Sequence, residues 1–240
     1  MDLIKATNLG IRFKMKRKKP QVTLSDTKKT DRRVNASEFW ALKNVNFTVE
    51  KGDILGVIGS NGSGKSTLLR LISEVYSPDE GTIEINGSVS ALLSLGAGFK
   101  SELSGLENIY LNGIMLGFSK TEIDKHLEQI IEFSEIGEFI NEPVKVYSSG
   151  MRSRLGFSIS AFLERDVMLI DEILGVGDFK FKKKSQEKME EMIRDGRTVI
   201  IVSHSMDSIK KYSNKAIWIE KGEMKASGKA VDIVELYLKS

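Results

Sequence analysis

The sequence predicts an α/β fold built around a mostly parallel sheet, on three observations. Short apolar runs bounded by Gly, Asp or Lys recur at 54–58, 167–170, 199–202 and 216–219. Runs of that length, apolar throughout, mark strands buried on both faces. Helical patterns fill the spaces between and around them, at 65–74, 106–116, 122–133, 152–163 and 181–194, and strands alternating with helices build parallel sheets. The composition, 40% hydrophobic and 29% charged over 240 residues, supplies a substantial core.

The first part of the chain is organised differently. Residues 3–8, 41–50, 82–86 and 88–93 read as strands linked by turns, which predicts an antiparallel sheet beside the parallel one. A basic insertion, about 14–38, separates the first two. Residues 14–33 hold nine Lys/Arg and two Asp, net +7, so the rest of a chain whose net charge is +3 carries −4. For most of its length this run reads as a solvated surface loop. Its charge also fits contact with anionic lipid head groups or a phosphate-bearing ligand. The body has no excess of positive charge, and the chain does not read as a dedicated nucleic-acid binder.

Between the strand 54–58 and the helix that begins at Lys65 lies Gly59-Ser60-Asn61-Gly62-Ser63-Gly64-Lys65-Ser66, a match to G-x-x-x-x-G-K-[ST] in the context it requires. Its glycines let successive N–H groups curl inward towards phosphate oxygens. The helix N-terminus adds about half a positive charge at the same place. Lys65 is placed to reach the β- and γ-phosphates of a nucleoside triphosphate, and the Ser66 hydroxyl to ligate Mg²⁺. Thr67, next in the same turn, is assigned to the same site.

From about 98 to 164 the sequence shows no convincing strand and reads as a helical insertion, a subdomain rather than a separate domain. The strand 167–170 then ends in Asp171-Glu172. A carboxylate at the C-terminal end of a strand in an open α/β sheet faces the ligand crevice. Such a pair can also simply end a strand, but with the phosphate loop present Asp171 suits Mg²⁺ positioning and Glu172 the orientation of an attacking water. His204 follows the strand 199–202 on the same side, where a neutral imidazole can hydrogen-bond the γ-phosphate or the water. His126, in a Lys/Glu-rich helix, reads as solvated.

Several classes are excluded. There is no cysteine, hence no disulfide, thiolate metal site or cysteine nucleophile, which suits a reducing compartment. Two histidines far apart exclude a multi-His metal site. No apolar stretch approaches the ~18 residues needed to cross a bilayer. Met1-Asp2-Leu3-Ile4-Lys5 lacks the pattern of a signal peptide. The expectation is a chain that stays where it is made and meets a membrane through a partner.

Tyr147-Ser148-Ser149-Gly150-Met151 precedes a long helix just upstream of the acidic strand. A Ser-Ser-Gly turn at a helix N-terminus is an ordinary cap that also offers a hydroxyl and free N–H groups to an anion. The order phosphate loop, this stretch, Asp-Glu, His resembles the ATP-binding subunit of ATP-binding-cassette (ABC) transporters over essentially the whole chain. The family signature is Leu-Ser-Gly-Gly-Gln; Ser148 and Gly150 match it, while Tyr147, Ser149 and Met151 depart.

The resemblance implies a P-loop ABC ATPase domain spanning 1–240, with ATP and Mg²⁺ as cofactors. It implies that Ser148, Ser149 and Gly150 contact the γ-phosphate held by a second copy, giving an ATP-sandwich homodimer. The dimer-interface loop falls on Val176-Gly177-Asp178, which assigns Asp178 to the nucleotide site. The adenine-stacking aromatic aligns best with Phe13, with Trp40 as the other candidate. Most relatives place a Mg²⁺-ligating Gln near residues 94–97, but no Gln occurs between Gln21 and Gln129; Leu95-Gly96-Ala97-Gly98 stands there instead.

The variant signature, the run from Glu172 to Asp178, and Leu95–Phe99 together look like one subgroup: exporters of lipid-linked O-antigen, capsule or teichoic acid. This implies a peripheral subunit on the cytoplasmic face of the inner membrane, driving a separate integral-membrane permease that docks around 95–106, with a lipid-linked polysaccharide as substrate and no nucleic-acid partner. Longer O-antigen relatives carry a C-terminal carbohydrate-binding domain, which is not expected in a chain ending at Ser240. Three rivals stand beside this reading. A regulatory GTPase needs a guanine-reading Asn-Lys-x-Asp, and Asn214-Lys215 is followed by Ala216-Ile217. A soluble ABC-type ATPase acting on nucleic acid or ribosomes usually carries two cassettes or a coiled-coil insertion. A binding-only module is weakened by the presence of Lys65, Ser66, Asp171, Glu172 and His204.

Overall fold

The computed structural model describes residues 1–15, 37–91, 98–163, 165–171 and 178–240. Most of the basic run 14–33 lies outside the described residues. Strand β1 (Asp2–Met15) and strand β2 (Ser37–Glu50) form a long antiparallel ribbon, in register from Asp2↔Glu50 to Met15↔Ser37 with bulges along the way. Strand β4 (Glu80–Ile85) pairs antiparallel with the free edge of β1.

The parallel part is β3 (Ile54–Ile58), β7 (Thr198–Val202) and β6 (Val167–Asp171), with β8 (Lys215–Glu220) on the other side of β3. Strand β9 (Glu223–Lys229) returns antiparallel to β8 and meets β2 at Lys43↔Glu223. The strands form one mixed sheet in the order β4-β1-β2-β9-β8-β3-β7-β6-β5, where β5 is Val89–Ala91.

The position of β5 corrects one expectation. Residues 88–93 were expected in the antiparallel sheet, but β5 runs parallel to β6 at the far edge of the core. The cause is local. The Ser88 N–H and hydroxyl both donate to the Asp166 carboxylate at 2.7 Å, and the Val167 N–H donates to the Ser88 carbonyl at 3.0 Å. These bonds hold β5 to the start of β6.

The central strands follow the alternation of doubly buried strands. Leu55, Val57, Val167, Leu169, Ile200 and Val202 face one cluster, completed by the ribbon and by helix α1 (Lys65–Ile72). Ile58, Met168, Ile170, Val199 and Ile201 face a second. Helices α5 (Phe179–Arg194), α6 (Met206–Tyr212) and α7 (Ala230–Leu238) cover that side.

A third cluster joins α2 (Gly105–Met115), α3 (Lys120–Ser134) and α4 (Ser149–Phe162) through Ile109, Ile123, Ile130, Leu155 and Ile159. Capping boxes start α2 at Ser104/Glu107 and α3 at Ser119/Glu122. Tyr147, a departure from the family signature, fills this cluster, and its hydroxyl donates to the Phe139 carbonyl. Among the described residues no helix is long and apolar enough to cross a membrane.

Candidate functional site

The loop between β3 and α1 is tightly constrained. Gly64, the N-cap of α1, is left-handed at φ 113°. A Cβ there would come 2.6 Å from the Ala41 carbonyl oxygen. A Cβ on Gly59 would fall on the Ile219 carbonyl. Both positions therefore require glycine, for backbone angle and for space.

Lys65 is 6% exposed. Its Nζ donates to the carbonyls of Gly59 and Ser60, each at 2.8 Å, so the ammonium stays against the loop. Ser60 Oγ donates to Glu220 Oε1 at 2.7 Å, and the Gly222 N–H donates to the Ser63 carbonyl at 2.9 Å. The hydrogen bond from Ser60 holds the Glu220 carboxyl below its ordinary pKa.

This loop opens on a cavity of about 660 Å³, a size that suits a nucleotide-sized ligand. Asn61, Gly62, Gly64, Lys65, Ser66 and Thr67 line one part. Val202 and His204, from the end of β7, line another. Phe13, Phe39, Trp40 and Ala41 come from the ribbon, and Lys221 and Gly222 from the β8–β9 turn. The described lining contains two lysines and no carboxylate, which suits an anionic ligand. Phe13 and Phe39 are cross-strand partners with ring centroids 6.0 Å apart, and the Arg12 guanidinium lies 5.5 Å from the Trp40 ring centroid.

The site residues expected from sequence therefore divide. Phe13, Asn61, Gly62, Gly64, Lys65, Ser66, Thr67 and His204 meet in one cavity. Gly59, Ser60 and Ser63 form the loop behind it; Ser63 is 2% exposed and its Oγ has no hydrogen-bond partner. Asp171 ends β6 beside Val202, with its backbone described and its side chain outside the described residues. Glu172, Leu95–Ala97, Val176 and Gly177 also lie outside them.

Ser148, Ser149, Gly150 and Asp178 do not line the cavity. Ser148 and Ser149 are exposed, and Ser148 Oγ caps α4 by accepting the Met151 N–H at 3.1 Å. Asp178 caps α5 in the same way, accepting the Phe181 N–H at 2.9 Å. Phe13, the aromatic expected on the adenine side, and Trp40, the other candidate, both line the cavity. Phe39 and Lys221 were missed. Neither gave a signal in the sequence: the pairing that sets Phe39 opposite Phe13 lies beyond the strand ends expected there.

A metal can be assigned only in part. Among the described residues no group of three His, Asp or Glu forms a cation site. The Ser66 hydroxyl on the cavity wall fits one ligand position for Mg²⁺ on bound phosphates.

Residues 42–175 match the family model described as ABC transporter. The chain belongs to the ABC transporter family. It is 47% identical over 203 residues to the O-antigen export system ATP-binding protein RfbB of Myxococcus xanthus, covering 85% of this chain and 46% of that protein. The corresponding RfbB of Klebsiella pneumoniae is 46% identical over 200 residues, covering 83% of this chain and 81% of that one. The teichoic acids export ATP-binding protein TagH of Lactococcus lactis is 47% identical over 205 residues, covering 85% and 44%. The chain thus spans just under half the length of two of these ABC relatives and most of the third. Among solved structures, a dimeric ATP-binding cassette bound to ADP and Pi superposes with a TM-score of 0.73 at 22% identity, covering 95% of this chain and 98% of that one. An ATP-binding subunit of an ABC transporter gives 0.76 at 21%, covering 98% and 93%. These two likenesses establish the ABC cassette fold.

Proposed function

We propose that this chain is the ATP-hydrolysing subunit of an ABC exporter that moves a lipid-linked cell-surface polysaccharide across the cytoplasmic membrane. The supporting observation for ATP is the single cavity in which the phosphate loop, His204 and an aromatic wall converge. The supporting observation for the substrate class is the relatedness to O-antigen and teichoic acid export proteins. We read residues 1–240 as one cassette, with 98–164 as its helical subdomain. It acts at the cytoplasmic face, with an integral-membrane permease and a second copy of itself.

In this reading the loop N–H groups and Lys65 hold the phosphates. Phe13, Phe39 and Trp40 wall the base side. Ser66 and Asp171 are the residues that would hold Mg²⁺, which when bound neutralises phosphate charge. Glu172 accepts a hydrogen bond from the attacking water and orients it, and His204 contacts the water or the γ-phosphate. Ser148–Gly150 serve the nucleotide of the partner copy, so ATP closes the dimer and hydrolysis reopens it. Closure and reopening move the permease helices.

The test is Glu172→Gln. A positioned acid–base group contributes about 10²–10⁴-fold in rate. The variant is expected to lose ATP turnover by that order while binding ATP at unchanged affinity. Normal turnover would remove Glu172 from its role. Deleting the protein from cells tests the substrate, by loss of a surface glycan from the cell envelope.

A further inference from the structure

The turn between β8 and β9 stands beside the nucleotide cavity but belongs to neither the phosphate loop nor the acidic strand. Lys221 and Gly222 have φ of 50° and 80°, and Glu220 pairs with Glu223 across them. Two positive φ values between paired residues are the backbone of a type I′ hairpin, whose first central position favours Asn, Asp or Gly. Lysine is sterically disfavoured in that conformation. Residues held against local preference tend to sit at functional sites.

Several contacts fix this turn in place. The Gly222 N–H donates to the Ser63 carbonyl at 2.9 Å, and Glu220 accepts from Ser60 Oγ at 2.7 Å. On the ribbon side the Lys43 N–H donates to the Gly222 carbonyl at 2.8 Å. A Cβ on Gly222 would come 2.8 Å from the Ala41 carbonyl oxygen. The turn is therefore wedged between the phosphate loop and β2. Its neighbouring carboxylate, Glu220, is engaged by the loop. Lys221 itself is exposed and lines the cavity, where the other lysine among the described lining residues is Lys65.

We propose that Lys221 is a second cationic contact to the bound nucleotide, offered to its anionic part from the β8–β9 turn. This rests on the ATP reading of the cavity and adds a residue to it. Lys65 is buried against the loop it belongs to. Lys221 is exposed at the rim, so its contribution is a charge-assisted hydrogen bond screened by solvent and salt.

Titrations of ATP and of adenosine into purified unaltered protein, Lys221→Asn, Lys221→Arg and Lys65→Ala test this. Lys221→Asn is expected to weaken ATP binding about 3–10-fold at low salt, consistent with one partly exposed charge-assisted bond. The loss should shrink at high salt and be absent for adenosine. Lys221→Arg should restore most of it. Asn suits the turn better than Lys, so the Tm of Lys221→Asn should be unchanged or raised, which separates lost contact from lost folding. ATP affinity equal to the unaltered protein in Lys221→Asn would overturn the proposal, as would an equal loss for adenosine. Undiminished ATP binding by Lys65→Ala would instead overturn the ATP reading of the cavity.

Discussion

At the scale of single residues, the phosphate loop is held by exclusion as much as by hydrogen bonds. Gly59 lies against the backbone of Ile219, so any side chain there must displace a strand carbonyl. We expect Gly59→Ala to destabilise the fold by on the order of 2–4 kcal/mol and to abolish ATP binding, measured by denaturant titration and by nucleotide titration. Asp53 controls stability at the opposite end of β3. Burial pushes its carboxyl up, but Lys215, the Glu50 N–H and Asn214 outweigh that and hold it below its usual value. Lys215 Nζ sits 2.8 Å from a carboxylate that is 8% exposed. A depressed folded pKa gives stability that is complete above the unfolded value of about 3.9 and is lost as pH falls through the folded value. Asp53→Asn should therefore cost about 1–3 kcal/mol at pH 7. The gap to the unaltered protein should close as pH falls below the unfolded value and through the depressed folded one, as the native carboxyl becomes protonated. A gap that persists there would remove the charge from the explanation.

At the scale of elements, the helical segment begins its first two helices with the same device. Ser104 Oγ accepts the Glu107 N–H at 3.2 Å, and Ser119 Oγ accepts the Glu122 N–H at 3.3 Å, each with the Glu reaching back to the serine N–H. Ser104→Ala and Ser119→Ala should each cost about 1 kcal/mol, and the double variant about 2. Equilibrium denaturation checks the sum, and ATP affinity should stay constant. These helices were legible from their helical apolar pattern, whereas the capping boxes that start them were not read from the sequence. The doubly buried strands were legible because their apolar runs are short and sharply bounded. The ends of β1 and β2 were not, because residues such as Arg12, Lys14 and Glu38 merge by composition with the basic run. Only the paired structure shows that Arg12 and Glu38 form a diagonal ion pair across the ribbon, at 3.4 Å. Helix α6 has seven residues, too few to show a period. The register of β5 depends on Asp166, 78 positions from Ser88, and no local pattern carries it.

At the scale of the whole molecule, the phosphate loop and His204 were legible because each announces itself within a few residues. Phe39 and Lys221 join the same cavity from positions that only the fold brings together. Among the other expected residues, Ser148 and Ser149 face solvent, Gly150 is half-buried, and all three lie outside the cavity of their own chain. A helix N-terminus with exposed serines favours an anion by its dipole and free N–H groups. In the proposed mechanism that anion is the γ-phosphate held by a second copy, so assembly must depend on ATP. Glu172→Gln, which retains ATP, should shift in light scattering from 26.8 kDa to about twice that mass when saturated with ATP. ADP or no nucleotide should leave it at one chain. Adding Ser148→Arg should keep it at one chain with ATP bound, because a bulky side chain blocks the approach of the second copy while the phosphate loop is untouched. A monomer at saturating ATP, or a dimer that forms equally without nucleotide, would refute the sandwich. In the first case the exposed serines revert to a plain helix cap, and each cavity works alone.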